Sequence, residues 1–298
     1  MLIAGHTMGT PEYTIAEALS LFGTIGLDGA EIVVQDDYKC GIPRRADKSF
    51  LNTIKSAASS EGLHIACLTP YNCHFNSADR KLREQDIEDI KHVISFAGFL
   101  NAGYIRLYAG TAVHPQDFSP DNYRRIIESM NVLGDTAEQY GVTLVLENHF
   151  NTMTVSAQDT VSLTQKIGHP AVRILYDQAN LTFTGKEDFN TAIDVQGSRT
   201  AYVHVKDLIF KSNASSSGGR ASAKDVTHQE ESERIVTTRI VGEGILPWQE
   251  ILRKLKSSGY DGWLSLEYER RWHPLDIPDA SVGMKKSAEF IQNCLNEI

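Results

Sequence analysis

What this 298-residue chain lacks narrows its nature first. Its four cysteines (Cys40, Cys67, Cys73 and Cys294) form no CxxC pair, which argues against a thiolate zinc site and reads as a reduced, cytoplasmic protein. No Lys/Arg-rich run occurs and the formal net charge is −9, so a nucleic-acid backbone is not an expected partner. No apolar run approaches the ~20 residues of a membrane helix. The start Met1-Leu2-Ile3-Ala4-Gly5-His6 has neither the basic beginning nor the long apolar core of a signal peptide. A Gly-rich phosphate turn is absent after the first apolar run, which disfavours a dinucleotide-binding open sheet.

What is present is a repeated pattern. Leu144-Val145-Leu146 runs into Glu147, followed by Asn148 and His149. Ile174-Leu175-Tyr176 ends in Asp177, Ala201-Tyr202-Val203 in His204, and Trp263-Leu264-Ser265-Leu266 in Glu267. Short β-type apolar runs suit strands buried on both faces. Each of these four stops at a residue type that ligates metals.

The rest of the chain sets the context. Strands are expected at Leu2–Gly5, Ala30–Val34, Leu63–Leu68, Tyr104–Leu107, Val142–Leu146, Val172–Tyr176, Ala201–Val205 and Gly262–Leu266. Helical patterns separate them. Thr14 and Glu17 form a capping box, with Ile15, Ala18, Leu19 and Phe22 on one face beyond it. Asp47 opens a second helix, Arg80–Leu100 is a third, and Ser119-Pro120 is a cap followed by a first-turn proline. A fifth helix is expected over Ser156–Ile167, a short one around Phe189–Val195, another over Pro247–Ser258, and a last one from about Ala280 to Leu295. Eight strands alternating with eight helices imply a single-domain α/β fold, a (β/α)8 TIM barrel over residues 1–298, with its site at the C-terminal strand ends. A polar insertion at about 209–239, containing Ser215-Ser216-Ser217-Gly218-Gly219, is expected as a surface loop over the barrel mouth, with a lid or subunit contact as the sharper alternative.

Glu147, Asp177, His204 and Glu267 supply three carboxylates and one imidazole. On four successive barrel strands they converge on one small volume. Oxygen-rich ligands with a single nitrogen suit one divalent ion: Mn²⁺, Mg²⁺, Co²⁺ or Zn²⁺. Singly, each has a plainer role: Asp177 as a helix cap, Glu267 in a solvated pair with Glu269, His204 as a core histidine. His6, Glu31, His74, Arg106, Tyr108 and His149 also stand at or near strand ends, and Lys206 follows the seventh strand. Polar groups there can bind substrate hydroxyls, and Lys206 can neutralise an oxyanion. Alternatively, Glu31 and Arg106 pair inside the barrel, His74 is an ordinary loop residue, and His149 only steadies Glu147. Trp272 and His273 either wall the pocket or pack the last helix.

Five motifs together resemble the xylose-isomerase-like barrels of the sugar-phosphate isomerase and epimerase superfamily. They are Leu146-Glu147-Asn148-His149, Tyr176-Asp177-Gln178-Ala179-Asn180, His204-Val205-Lys206-Asp207, Val241-Gly242-Glu243-Gly244, and Gly259-Tyr260-Asp261-Gly262-Trp263 leading to Glu267-Tyr268-Glu269. The resemblance spans nearly the whole chain. It implies that Glu147, Asp177, His204 and Glu267 hold one divalent metal, manganese foremost. It further implies that Glu147 and Glu267 are the catalytic pair, moving a proton in a sugar or keto-polyol isomerase or epimerase through a metal-stabilised enediolate. The free-ketose 3-epimerases of this group carry a substrate-contacting histidine where this chain has Asn180. They carry an arginine where it has Phe210 and Lys211. His204-Val205-Lys206-Asp207 is closer to inosose dehydratases, so a dehydratase or β-eliminating lyase is the alternative. The DNA-repair endonucleases of the superfamily need more histidine ligands and a basic face, and a non-catalytic sugar-binding barrel would not need all four ligand types. The implied partner is a small sugar or polyol. Homo- or hetero-oligomer formation is left open.

Overall fold

The computed structural model describes residues 1–111, 119–211 and 234–298. Eight parallel strands close into a barrel: β1 (Leu2–His6), β2 (Gly29–Val34), β3 (His64–Pro70), β4 (Tyr104–Leu107), β5 (Thr143–Glu147), β6 (Val172–Asp177), β7 (Thr200–Val205) and β10 (Trp263–Leu266). β10 sits between β7 and β1, and β2 closes the ring against β1. The eight expected strands are the eight barrel strands.

Helices α1 (Ile15–Ile25), α2 (Lys48–Ser60), α3 (Arg80–Leu100), α4 (Pro120–Gln139), α5 (Ala157–Ile167), α6 (Gln178–Gly185), α7 (Phe189–Gln196), α8 (Trp248–Ser257) and α9 (Ala280–Asn296) accompany them. No described helix is long and apolar enough to cross a membrane. Sequence-coded caps start several of these helices. Thr14 and Glu17 form their reciprocal box on α1, Asp47 caps α2, and Ser119 caps α4 ahead of Pro120. Ile15, Ala18, Leu19 and Phe22 of α1 are all buried against the barrel, as their spacing requires. One helix was not expected. α6 begins directly after Asp177, whose side chain caps it, so strand and helix share a junction with no loop for a sequence pattern to mark.

The barrel has two cores. A large one lies between strands and helices. A small one fills the interior with Ala4, Ala66, Cys67, Val145, Leu175 and Tyr202. Strand side chains alternate between faces, so a residue two places on from an inward residue also points inward. This rule places the mouth: Ala4 is followed inward by His6, Cys67 by Thr69, Val145 by Glu147, Leu175 by Asp177, and Tyr202 by His204. All four cysteines are free thiols.

Most of the polar insertion, residues 212–233 with the Ser215–Gly219 run, lies outside the described residues. Its flanks are not loop. β8 (Asp207–Phe210) and β9 (Val236–Arg239) pair antiparallel, Phe210 opposite Val236. Asp207 anchors this hairpin to the next turn. Its Oδ1 accepts the amides of Leu208 at 2.9 Å and Leu246 at 3.1 Å, and its Oδ2 those of Gly242 and Gly244, each at 3.1 Å. Gly244 has to be glycine here, since a Cβ would stand 2.0 Å from Asp207 Oδ1.

Candidate metal centre

Glu147, Asp177, His204 and Glu267 meet at the C-terminal mouth, each offering a ligand atom within 4.8 Å of the others. All four are buried. Nδ1 of His204 is the common point, 3.3 Å from Glu147 Oε1, 3.4 Å from Glu267 Oε2 and 3.9 Å from Asp177 Oδ2. Register brings this about: Asp177 and His204 are direct partners across β6 and β7, and Glu147 lies opposite Leu175 on β6. Asn148 locks β5 to β6, donating to the Asp177 carbonyl at 2.7 Å and accepting the Asp177 amide at 3.2 Å.

Each carboxylate is held differently. Arg106 clamps Glu147, its Nε donating to Oε2 at 2.6 Å with Nη2 beside the same oxygen. Asn180 donates to the other oxygen, Oε1, at 3.1 Å. Burial would raise the Glu147 carboxyl, but the guanidinium holds it well below the usual range. Asp177 uses Oδ1 to cap α6, accepting from the Asn180 amide at 2.9 Å, while buried Oδ2 accepts no hydrogen bond from the described residues. Burial pushes its carboxyl up to about 7 against the pull of Lys206. Lys206 Nζ donates to Glu267 Oε2 at 2.7 Å, with Asp177 Oδ2 at 3.0 Å and Glu269 Oε1 at 3.5 Å. Burial would raise Glu267 too, but Lys206 and His204 keep it well below its ordinary value.

The donor set fits a divalent cation. Three carboxylate oxygens converge on one imidazole nitrogen, so that nitrogen must carry either a proton or a metal ion between them. Burial would lower the His204 pKa, but Glu267 and Glu31 hold it well above the usual histidine value, which is the electrostatic signature of a cation site. Four buried acids, Glu31, Glu147, Asp177 and Glu267, face two permanent cations, Arg106 and Lys206. With all four ionised and His204 neutral, as metal binding requires, the excess is two negative charges.

The other predicted residues divide. Arg106, Asn180 and Lys206 touch the cluster directly. His6 is fully buried with its ring 5.8 Å from that of His204. Tyr108 stacks on the Arg106 guanidinium at 3.6 Å and packs edge-on against His149 at 4.8 Å. His149 does not steady Glu147 by a hydrogen bond. Its Nδ1 donates to the Phe150 carbonyl, and burial holds its pKa down at about 4. His74 pairs with Asp86 of α3 at 3.1 Å, and none of its contacts reaches the cluster. A Glu31–Arg106 pair does not form: Arg106 takes Glu147, and Glu31 takes His204 from across the barrel. Trp272 leans edge-on against Tyr71 and donates to Met8 Sδ at 2.9 Å. Glu269 was not foreseen as a contact of Lys206, although its alternation with Glu267 was visible. Beside the cluster, Phe150, Phe183, Leu208 and Val236 line a cleft that also borders Asn180, Lys206 and His273.

Known proteins resemble this chain in sequence and in fold. The chain is 23% identical over 158 residues to inosose dehydratase of Geobacillus thermodenitrificans, covering 51% of this chain and 49% of that protein. It thus spans about half the length of that relative. It is 24% identical over 282 residues to fructoselysine 3-epimerase of Shigella flexneri, covering 90% of this chain and 88% of that one. Among solved structures, L-ribulose 3-epimerase superposes with a TM-score of 0.77 at 18% identity, over 99% of this chain and 95% of the other. The model of the family described as xylose isomerase-like TIM barrel matches residues 20–294, and the chain belongs to that family.

Proposed function

We propose that this protein is a divalent-metal-dependent isomerase or epimerase of a sugar or keto-polyol that works by proton abstraction beside a carbonyl. The convergence of Glu147, Asp177, His204 and Glu267 within 4.8 Å carries the reading. Glu147, Asp177 and Glu267 through oxygen, and His204 through Nδ1, would hold the ion; the donor set suits Mn²⁺, Mg²⁺, Co²⁺ or Zn²⁺, and the family resemblance favours Mn²⁺. Bound there, the ion supplies Lewis acidity to a chelated carbonyl and hydroxyl, which acidifies the C–H beside them.

The protein groups do the rest. Glu267 keeps Oε2 on Lys206 and has no hydrogen bond to Oε1 among the described residues, so Oε1 is free to take the proton. Glu147, with both oxygens occupied by Arg106 and Asn180, is the weaker base and suits the return of a proton from the other side. Lys206, already among the acids, stabilises negative charge that develops on substrate oxygen.

The second reading, a dehydratase or β-eliminating lyase, is favoured by that same ammonium. Lys206 Nζ is a proton donor beside the base, and it can protonate a departing hydroxyl or aglycone. Incubation in D₂O with ketoses, inososes, fructoselysine and 3-ketoglycosides separates the two. Deuterium at the reacting carbon of recovered isomer supports the first reading. Release of water or a leaving group with an unsaturated product supports the second. Turnover with neither exchange nor elimination would mean hydride transfer and would overturn both. Glu267→Gln should lower turnover by ~10² or more while changing KM little.

A further inference from the structure

Glu31 lies on β2 and belongs to none of the four ligand strands. Its carboxylate nevertheless crosses the barrel interior and is fully buried. Both its oxygens stand 3.2 Å from Nε2 of His204. Thr69 of β3 donates its hydroxyl to Oε1, and Nε2 of His6 is 3.4 Å from the same oxygen. Nδ1 of His6 accepts the Met8 amide at 3.1 Å, so in the neutral ring the proton is on Nε2, facing Glu31. The β2–β3 register slips by one residue at Ala30/Glu31. Such a bulge is a common device for re-aiming a side chain next to a site.

We infer that Glu31 is the positioning residue of the metal centre: by accepting Nε2–H of His204 it fixes the tautomer whose Nδ1 lone pair faces Glu147, Asp177 and Glu267. The inference rests on the metal reading above. A neutral imidazole has one proton and two places for it. Three carboxylate oxygens compete for that proton on the Nδ1 side, at 3.3, 3.4 and 3.9 Å. The buried acid behind Nε2 holds it away from them and leaves Nδ1 free for an ion. Thr69 donates to Glu31 and His6 packs beside it, so the carboxylate keeps its place and remains an acceptor. A carboxylate behind a ligating histidine also raises the basicity of the ligating nitrogen.

The test uses the full chain and Mn²⁺ alone, with affinity read by EPR or calorimetry for the native protein, Glu31→Gln, Glu31→Asp and His204→Ala. Glu31→Gln should bind Mn²⁺ ~10–100-fold more weakly while keeping its circular dichroism, and Glu31→Asp should recover part of the loss. In native protein loaded with Zn²⁺ and labelled with ¹⁵N-histidine, His204 should carry its proton on Nε2 and its metal shift on Nδ1. This readout needs no variant to fold and fixes which nitrogen ligates, while the Glu31→Gln affinity reports what Glu31 contributes. Mn²⁺ affinity within twofold of native in Glu31→Gln, or a proton on Nδ1 with the metal on Nε2, would overturn the inference. If His204→Ala loses Mn²⁺ while Glu31→Gln does not, only the positioning role fails. If the native protein binds no Mn²⁺, or His204→Ala binds it as tightly, the metal reading fails and the positioning role fails with it.

Discussion

The ammonium of Lys206 lies 2.7 Å from Oε2 of Glu267, the carboxylate proposed above to take the substrate proton. It is also 3.0 Å from Asp177 Oδ2, so one side-chain cation touches two of the oxygens that a metal ion would use.

A lysine in this position would compete with a metal ion held by these oxygens. Lys206→Met should therefore bind Mn²⁺ more tightly than the native protein, yet turn over ~10²-fold more slowly, having lost the donor to substrate oxygen. Without metal, the variant leaves two buried acids short of a partner. Its unfolding free energy should fall by about 3 kcal/mol, measured by denaturation in chelator. Weaker Mn²⁺ binding in this variant would contradict the competition.

Proton competition at Asp177 sets the pH dependence. Its carboxyl is raised by burial to about 7 in the folded protein. A raised acid holds its proton longer folded than unfolded, so for the metal-free protein the stability tied to this group is present below about pH 4 and lost as pH rises towards 7. A metal ion needs Asp177 ionised and Nδ1 of His204 free of its proton, and the His204 pKa is itself held well above the usual value, so Mn²⁺ affinity should rise by about tenfold or more per pH unit towards 7 and go on rising above it. At pH 8, protein purified without chelator should hold about one metal ion per chain. Glu147→Gln, Asp177→Asn and His204→Ala should each lose it. Elemental analysis showing unchanged metal in all three would remove these residues as ligands.

The Asp207 anchor predicts a structural effect separate from the chemistry. Four backbone amides depend on its carboxylate. Asp207→Ala should cost about 3–5 kcal/mol by urea unfolding, each stranded amide contributing ~1 kcal/mol or more. Gly244→Ala drives a methyl group against Asp207 Oδ1 and should cost about 1–3 kcal/mol. Native stability in both would show that the turn is held by other contacts.

Because β8 and β9 pair as far as Phe210 and Val236, and the Lys211 amide reaches the Ile235 carbonyl at 2.8 Å, the two ends of the insertion are already joined. Replacing residues 212–233 with a short Gly/Ser linker should leave Tm nearly unchanged. A fall beyond about 10 °C, more than ~1 kcal/mol would produce, would assign those residues a structural role.

The order of the eight barrel strands, the caps at Thr14, Asp47 and Ser119, and the four ligand-type residues at strand ends are all local properties, and the sequence by itself determined them. Period-two alternation even dictates that Glu147 faces the same way as Val145, and His204 the same way as Tyr202. Alternation names a face, however, and not a partner around the ring. Barrel closure decided that Glu31 meets His204 from across the interior, that Arg106 clamps Glu147 and leaves Glu31 alone, and that His74 turns away to Asp86. The physical reason is that these pairs join strands or helices far apart in the chain. Their proximity depends on curvature, register and the β2–β3 bulge, none of which leaves a pattern in a single strand.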